Sequence, residues 1–215
     1  MNGSRTLGVY VVTSGAFGPG RDHRSIAHAA IEGGATAVQL RAPDLEDAEL
    51  LAIAGELSIA CRDAGVLFVV NDRVDVALRS GAAGVHVGQA DDPLTARRRL
   101  GPERVLGVSV SNAAESLAAE RAGADYLGVT VWSTPTKPEA EAWGLEGVRE
   151  VVGAVSLPVV GIGGIDAENA ALVLDAGAVG VAVISAVASA PDPVTATRSL
   201  VAAVDRFRAA QGAVR

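Results

Sequence analysis

The apolar residues of this chain fall in short, nearly unbroken runs separated by stretches of mixed polarity, and the runs are too brief for helices. Eight are legible, ending at residues 12, 40, 70, 87, 110, 129, 162 and 183. Four share one layout, in which a glycine that can end a helix and an alanine precede an apolar strand: 33–40, 80–87, 122–129 and 176–183. Their starts lie 47, 42 and 54 residues apart, twice the length of a βα unit, and runs at 7–12, 67–70, 105–110 and 159–162 fall between them. Helical patterns occupy 45–64, 113–122 and 145–152. Unbroken apolar strands alternating with helices predict a parallel sheet covered on both faces. Eight such units predict a (β/α)8 TIM barrel, an α/β fold, as a single domain over 1–215. A doubly wound open sheet is the alternative.

A barrel collects its chemistry just beyond the carboxyl ends of its strands. Those positions hold Gln39 and Arg41, Asn71 and Asp72, Gln89 and Asp91, Ser109, then Thr134, Thr136 and Lys137, then Gly163 and Gly164, and finally Ser185. The stretch 161–164, Gly-Ile-Gly-Gly, joins a strand to an alanine-rich helix, and a second turn follows at Ile184 and Ser185. Adjacent strand ends offering free amides near helix starts suit a phosphate, although a glycine turn can also serve the backbone alone. Asp72 and Asp91 on neighbouring strand ends suit Mg²⁺, which takes one or two carboxylates and leaves its other positions to water and phosphate oxygens. The plain alternative is that Asp72, Asp91 or Ser111 caps a helix. His86, inside a strand, reads as a hydrogen-bonded core residue, while His23 and His28 read as surface positions of the first helix. The tract 131–143, with two prolines, is too polar for a strand and long for a connection, and is expected to be a functional loop.

Composition narrows the partners. With 49% hydrophobic residues the chain can bury a large core. A net charge of −7 and no basic run longer than 97–99 argue against nucleic acid. No apolar stretch is long enough for a membrane span and no signal peptide is apparent. The single cysteine, Cys61, excludes an internal disulfide and suits a reducing cytoplasm. A homo-oligomer is left open. Of 18 basic residues only Lys137 is lysine, which singles it out as a compact cation where a planar guanidinium would serve poorly.

Several segments taken in order resemble the thiamine-phosphate synthase family: Val-Gln-Leu-Arg at 38–41, Val-Asn-Asp-Arg-Val-Asp at 70–75, Gly-Val-His-Val-Gly-Gln at 84–89 with Asp91, Gly-Val-Ser at 107–109, Asp-Tyr at 125–126, Thr-Pro-Thr-Lys-Pro at 134–138, and Gly-Ile-Gly-Gly-Ile at 161–165 with Ile184 and Ser185. The resemblance implies a transferase that couples a hydroxymethylpyrimidine diphosphate to a thiazole phosphate and releases pyrophosphate. It also implies Mg²⁺ on Asp72 and Asp91. Pyrimidine diphosphate contacts would fall on Gln39, Arg41, Asn71, Ser109 and Lys137, with Arg41, Ser109 and Lys137 catalytic. Thiazole phosphate contacts would fall on Thr134, Thr136, Gly164, Ile184 and Ser185. Two departures stand out: Ala42 and Pro43 replace the family's usual Glu-Lys, and 128–132 reads Gly-Val-Thr-Val-Trp where a Gly-Pro pair is usual. An electron-rich aminopyrimidine favours ionisation before attack, so the protein's task is to stabilise the departing charge. The alternatives are a thiazole tautomerase on the same barrel, a non-catalytic phosphate-binding barrel, and a phosphosugar isomerase.

Overall fold

The computed structural model describes residues 7–15, 21–133 and 141–212. Eight parallel strands close into a barrel in sequence order: β1 Val9–Val12, β2 Ala37–Leu40, β3 Leu67–Asn71, β4 Gly84–Val87, β5 Val105–Val110, β6 Tyr126–Thr130, β7 Val159–Ile162 and β8 Gly180–Val183. The last pairs with the first, Val11 opposite Val183, so the sheet has no free edge. This is the predicted (β/α)8 architecture; the open-sheet alternative falls. Among the described residues the connecting helices are α1 His23–Glu32, α2 Asp47–Asp63, α3 Val74–Ser80, α4 Pro93–Leu100, α5 Ala113–Arg121, α6 Gly144–Ala154, α7 Ala170–Asp175, α8 Ser185–Ala188 and α9 Pro193–Gly212.

The recurring Gly-Ala segments are helix stops that lead into strands. Gly34, Gly81, Gly123 and Gly177 all hold φ between 76° and 102°, a conformation that L side chains avoid, so each helix ends there and the next strand begins a few residues later. That is why β4 starts at Gly84 rather than at 80, where the repeat begins.

Alternate residues along each strand face opposite sides of the barrel wall. Outward positions such as Val11, Val38, Val70, Val85, Leu106, Leu127 and Val181 are almost fully buried and join the helices in the larger hydrophobic core. Inward positions form a smaller core of Leu7, Tyr10, Ala37, Val69, Val105, Tyr126, Val160 and Ala182. Toward the carboxyl ends of the strands the inward positions turn polar, and a cavity opens there.

Candidate active site

The cavity is lined by Gln39, Arg41, Asn71, Asp72, Ser109, Gly163, Gly164, Ile184 and Ser185, the described positions expected from strand ends except Gln89 and Asp91. Tyr10, His86, Tyr126, Thr130 and Ile162 line it as well. Thr134, Thr136 and Lys137 lie outside the described residues. The tract that carries them leaves and returns at one place, because Val131 N–H donates to the Ile162 carbonyl at 2.7 Å while Trp143 N–H donates to the Thr130 carbonyl at 2.9 Å.

Arg41 is held through its backbone. Its N–H donates to Thr13 Oγ1 at 3.3 Å, and Thr13 Oγ1 bonds His23 Nδ1 at 2.9 Å. His23 is therefore not the surface residue its helical position suggests. It starts α1, its ring turns toward the end of β1, and it is only 8% exposed. Burial, which disfavours the imidazolium, lowers its pKa. His28 is half exposed beside Glu56. The Ala42-Pro43 departure sits in the turn after β2, where the Pro43 carbonyl accepts from Arg73 Nη2 at 3.1 Å while Arg73 Nη1 pairs with Asp47 at 2.6 Å.

Neither carboxylate proposed for a metal caps a helix. The caps are the neighbouring residues: Asp92 accepts from Leu94 and Thr95 N–H ahead of α4, and Asn112, not Ser111, accepts from Glu115 N–H ahead of α5. Asp72 is the one described non-glycine residue with positive φ, at 60°. Its Oδ1 accepts from Asn71 Nδ2 at 2.6 Å and from Gly88 N–H at 3.2 Å. A backbone in that region costs on the order of 1 kcal/mol and is met most often where geometry is set for function. A methyl group placed on Gly88 would lie 3.8 Å from Asp72 Oδ1 and 3.9 Å from Asp91 Oδ2, so both carboxylates converge over one glycine that leaves room between them. Among the described residues no cluster of three or more acidic, His or Cys side chains is poised for a metal. Two exposed carboxylates, Asp72 on the cavity wall and Asp91 beside it across Gly88, fit Mg²⁺ shared with a phosphorylated substrate, and do not fit a closed structural zinc site.

At the glycine turn the two readings divide between neighbours. Gly163 has φ 97°, and a Cβ there would stand 2.5 Å from the Trp132 carbonyl, so this glycine serves the close approach of the tract after β6. Gly164, at φ 65°, is exposed to the cavity, and its N–H donates to nothing among the described residues. The Ser185 N–H, first in α8, has no intrahelical acceptor. Gly164 and Ser185 thus both present backbone N–H groups with no acceptor among the described residues.

A family model described as thiamine monophosphate synthase matches residues 9–187. The chain belongs to the thiamine monophosphate synthase family. Among curated relatives in that family, the thiamine-phosphate synthase of Chloroflexus aurantiacus is 50% identical over 91% of this chain and 92% of its own length. That of Moorella thermoacetica is 47% identical over 93% and 97%. A solved structure of thiamine phosphate pyrophosphorylase from Pyrococcus furiosus superposes with a TM-score of 0.87 at 40% identity, covering 96% of this chain and 99% of that one. No described helix is long and apolar enough to cross a membrane.

Among the lining residues that strand ends do not reveal are Tyr10, His86 as a lining group, and Tyr126. All sit within strands rather than after them. The signal available was position, since in a closed barrel a polar side chain at an inward alternate of a strand points into the interior.

Proposed function

We propose that this chain joins hydroxymethylpyrimidine diphosphate to thiazole phosphate, forming thiamine phosphate and releasing pyrophosphate. The observation that carries this reading is that groups suited to a diphosphate (Arg41, Asn71, Asp72) and groups suited to a second phosphate (Gly164, Ser185) line one cavity in a barrel of this family. Gln39 and Ser109 hold the pyrimidine. Arg41, fixed through its backbone, and Lys137 face the leaving diphosphate. Asp72 and Asp91 hold Mg²⁺, which when bound adds positive charge against the diphosphate oxygens. Thr134, Thr136, Gly164, Ile184 and Ser185 hold the thiazole phosphate, so that the ring nitrogen meets the pyrimidine methylene in line.

The aminopyrimidine spreads the positive charge that appears as the C–O bond breaks. Val12, Ile162 and Ala182 supply an apolar floor to the same cavity, and keeping water from the cation leaves the thiazole nitrogen as the nucleophile. No side-chain nucleophile is required, and Cys61 is unsuited to be one, since burial pushes its thiol up to about 12. A free, buried thiol also fits a cytoplasmic location. The test is incubation with both substrates, with and without Mg²⁺, assaying thiamine phosphate and pyrophosphate. Equal release of both, lost on chelation, is expected. Turnover without pyrophosphate would indicate a tautomerase, and binding without turnover a phosphate-sensing barrel.

A further inference from the structure

Five side chains from five strands form a continuous hydrogen-bonded line across the cavity floor. Gln39 Nε2 on β2 donates to Tyr10 OH on β1 at 2.7 Å, Tyr10 OH meets Tyr126 OH on β6 at 2.9 Å, Tyr126 OH meets His86 Nδ1 on β4 at 3.0 Å, and His86 Nε2 meets Ser109 Oγ on β5 at 2.9 Å. Both phenols are buried. Gly107 on β5 makes the line sterically feasible: a Cβ there would overlap the Tyr126 ring and come within 2.5 Å of His86 Nδ1.

Counting protons gives the line a direction. Burial raises the pKa of both tyrosines, so each keeps the single proton it can donate. Tyr10 accepts from Gln39, so its proton goes to Tyr126. The Tyr126 proton then goes to His86 Nδ1, which places the imidazole proton on Nε2 and sends it to Ser109 Oγ. The Ser109 proton is left for the cavity, and the Gln39 carbonyl oxygen, opposite its engaged nitrogen, is left as an acceptor. Turning the Gln39 amide by half a turn reverses every bond, so that Gln39 would then offer a donor and Ser109 an acceptor.

We propose that this line couples Gln39 to Ser109, so that their hydrogen-bonding faces are set together and read a heteroaromatic ring carrying an amino group beside a ring nitrogen. Tyr10, Tyr126 and His86 are positioning residues that act through its two ends. The inference rests on the pyrimidine lying against Gln39 and Ser109. The Gln39 carbonyl accepts from the amino group and the Ser109 hydroxyl donates to the ring nitrogen. An analogue with an oxo group in place of the amino group presents the opposite pattern, acceptor then N–H, and is read only after the whole line reverses.

The test is Tyr126→Phe, which keeps the ring and removes the relay, with Tyr10→Phe as a second break in the same line should the first fail to fold. Nitrogen NMR of the parent, with His86→Gln to assign the ring, should show His86 protonated at Nε2 alone, and Tyr126→Phe should give a tautomer mixture. The kcat/KM preference for the amino substrate over its oxo analogue should fall about tenfold, through the pyrimidine KM, with the thiazole phosphate KM unmoved. In a Gln39→Ala background, Tyr126→Phe should change the preference no further. A parent tautomer protonated at Nδ1, a single tautomer persisting in Tyr126→Phe, an unchanged preference, or additive losses would each overturn the coupling. If the parent releases no pyrophosphate, the assigned reaction fails instead, and the tautomer measurement decides the coupling alone.

Discussion

Asp72 combines a charge and a backbone conformation, and two substitutions separate them. Asn tolerates positive φ nearly as well as Asp and keeps one amide oxygen to accept from Asn71 Nδ2 and Gly88 N–H. Ala keeps neither advantage. Losing two exposed hydrogen bonds costs about 1 kcal/mol at the low end of the usual range, and holding alanine at φ 60° costs about 1 kcal/mol more. Asp72→Ala should therefore unfold about 4 to 8 °C below the parent for a chain of this size, whereas Asp72→Asn should stay within about 2 °C. Activity should divide differently: both should lose at least about 10²-fold in pyrophosphate release, because both remove the negative charge proposed to hold Mg²⁺. The pair of assays is thermal unfolding monitored by circular dichroism and a Mg²⁺ titration of turnover, in which excess Mg²⁺ should recover part of the Asn variant's rate. Parent-like turnover in Asp72→Asn would refute the metal role. Equal stability of the Ala and Asn variants would refute the claim that the strained turn needs an Asp or Asn.

Lys137→Ala should lower kcat about 10² to 10³-fold, and Lys137→Arg should recover only part of that, measured by single-turnover pyrophosphate release; full activity in the Arg variant would make the lone lysine an accident of composition. Gly164→Ala should raise the thiazole phosphate KM with little change for the pyrimidine substrate, while Gly163→Ala should mainly destabilise the fold, since its Cβ would strike the Trp132 carbonyl; paired KM and melting measurements distinguish them. His23 is held neutral by burial, so the unfolded chain binds a proton there more readily than the folded one, and stability should fall as pH drops below about 6.5. Urea midpoints between pH 7 and 5 should show that slope in the parent and a shallower one in His23→Gln.

The barrel was legible because its strands are buried on both sides and its helices stop at glycine, and both leave marks on the sequence. The runs ending at 110 and 162 coincide with β5 and β7, and the helix expected at 45–64 forms as Asp47–Asp63. The same uniform burial hid the interior. A strand that is apolar on both faces does not say which alternate points inward, so nothing in the sequence marks Tyr10 and Tyr126 as partners, and only closure sets them edge to face with ring centroids 6.1 Å apart. His23 was misjudged for a related reason, because its contact with Thr13 crosses from a helix start to a strand end and leaves no periodic trace. Asp72 stands out in the sequence by its type and position, whereas its positive φ is visible only in the folded chain.

The seam between β1 and β8 bears on how the chain comes off the ribosome. The first strand to be made must wait for the last, and until residue 183 has emerged its Val9, Val11 and Val12 have only one neighbouring strand with which to pair. During that interval the growing sheet carries two open edges rich in valine, a surface that invites pairing with other chains. Closure settles both edges at once. A late truncation or a stall near β8 should therefore harm solubility far more than the few residues lost would suggest, because it removes the strand on which the first one depends.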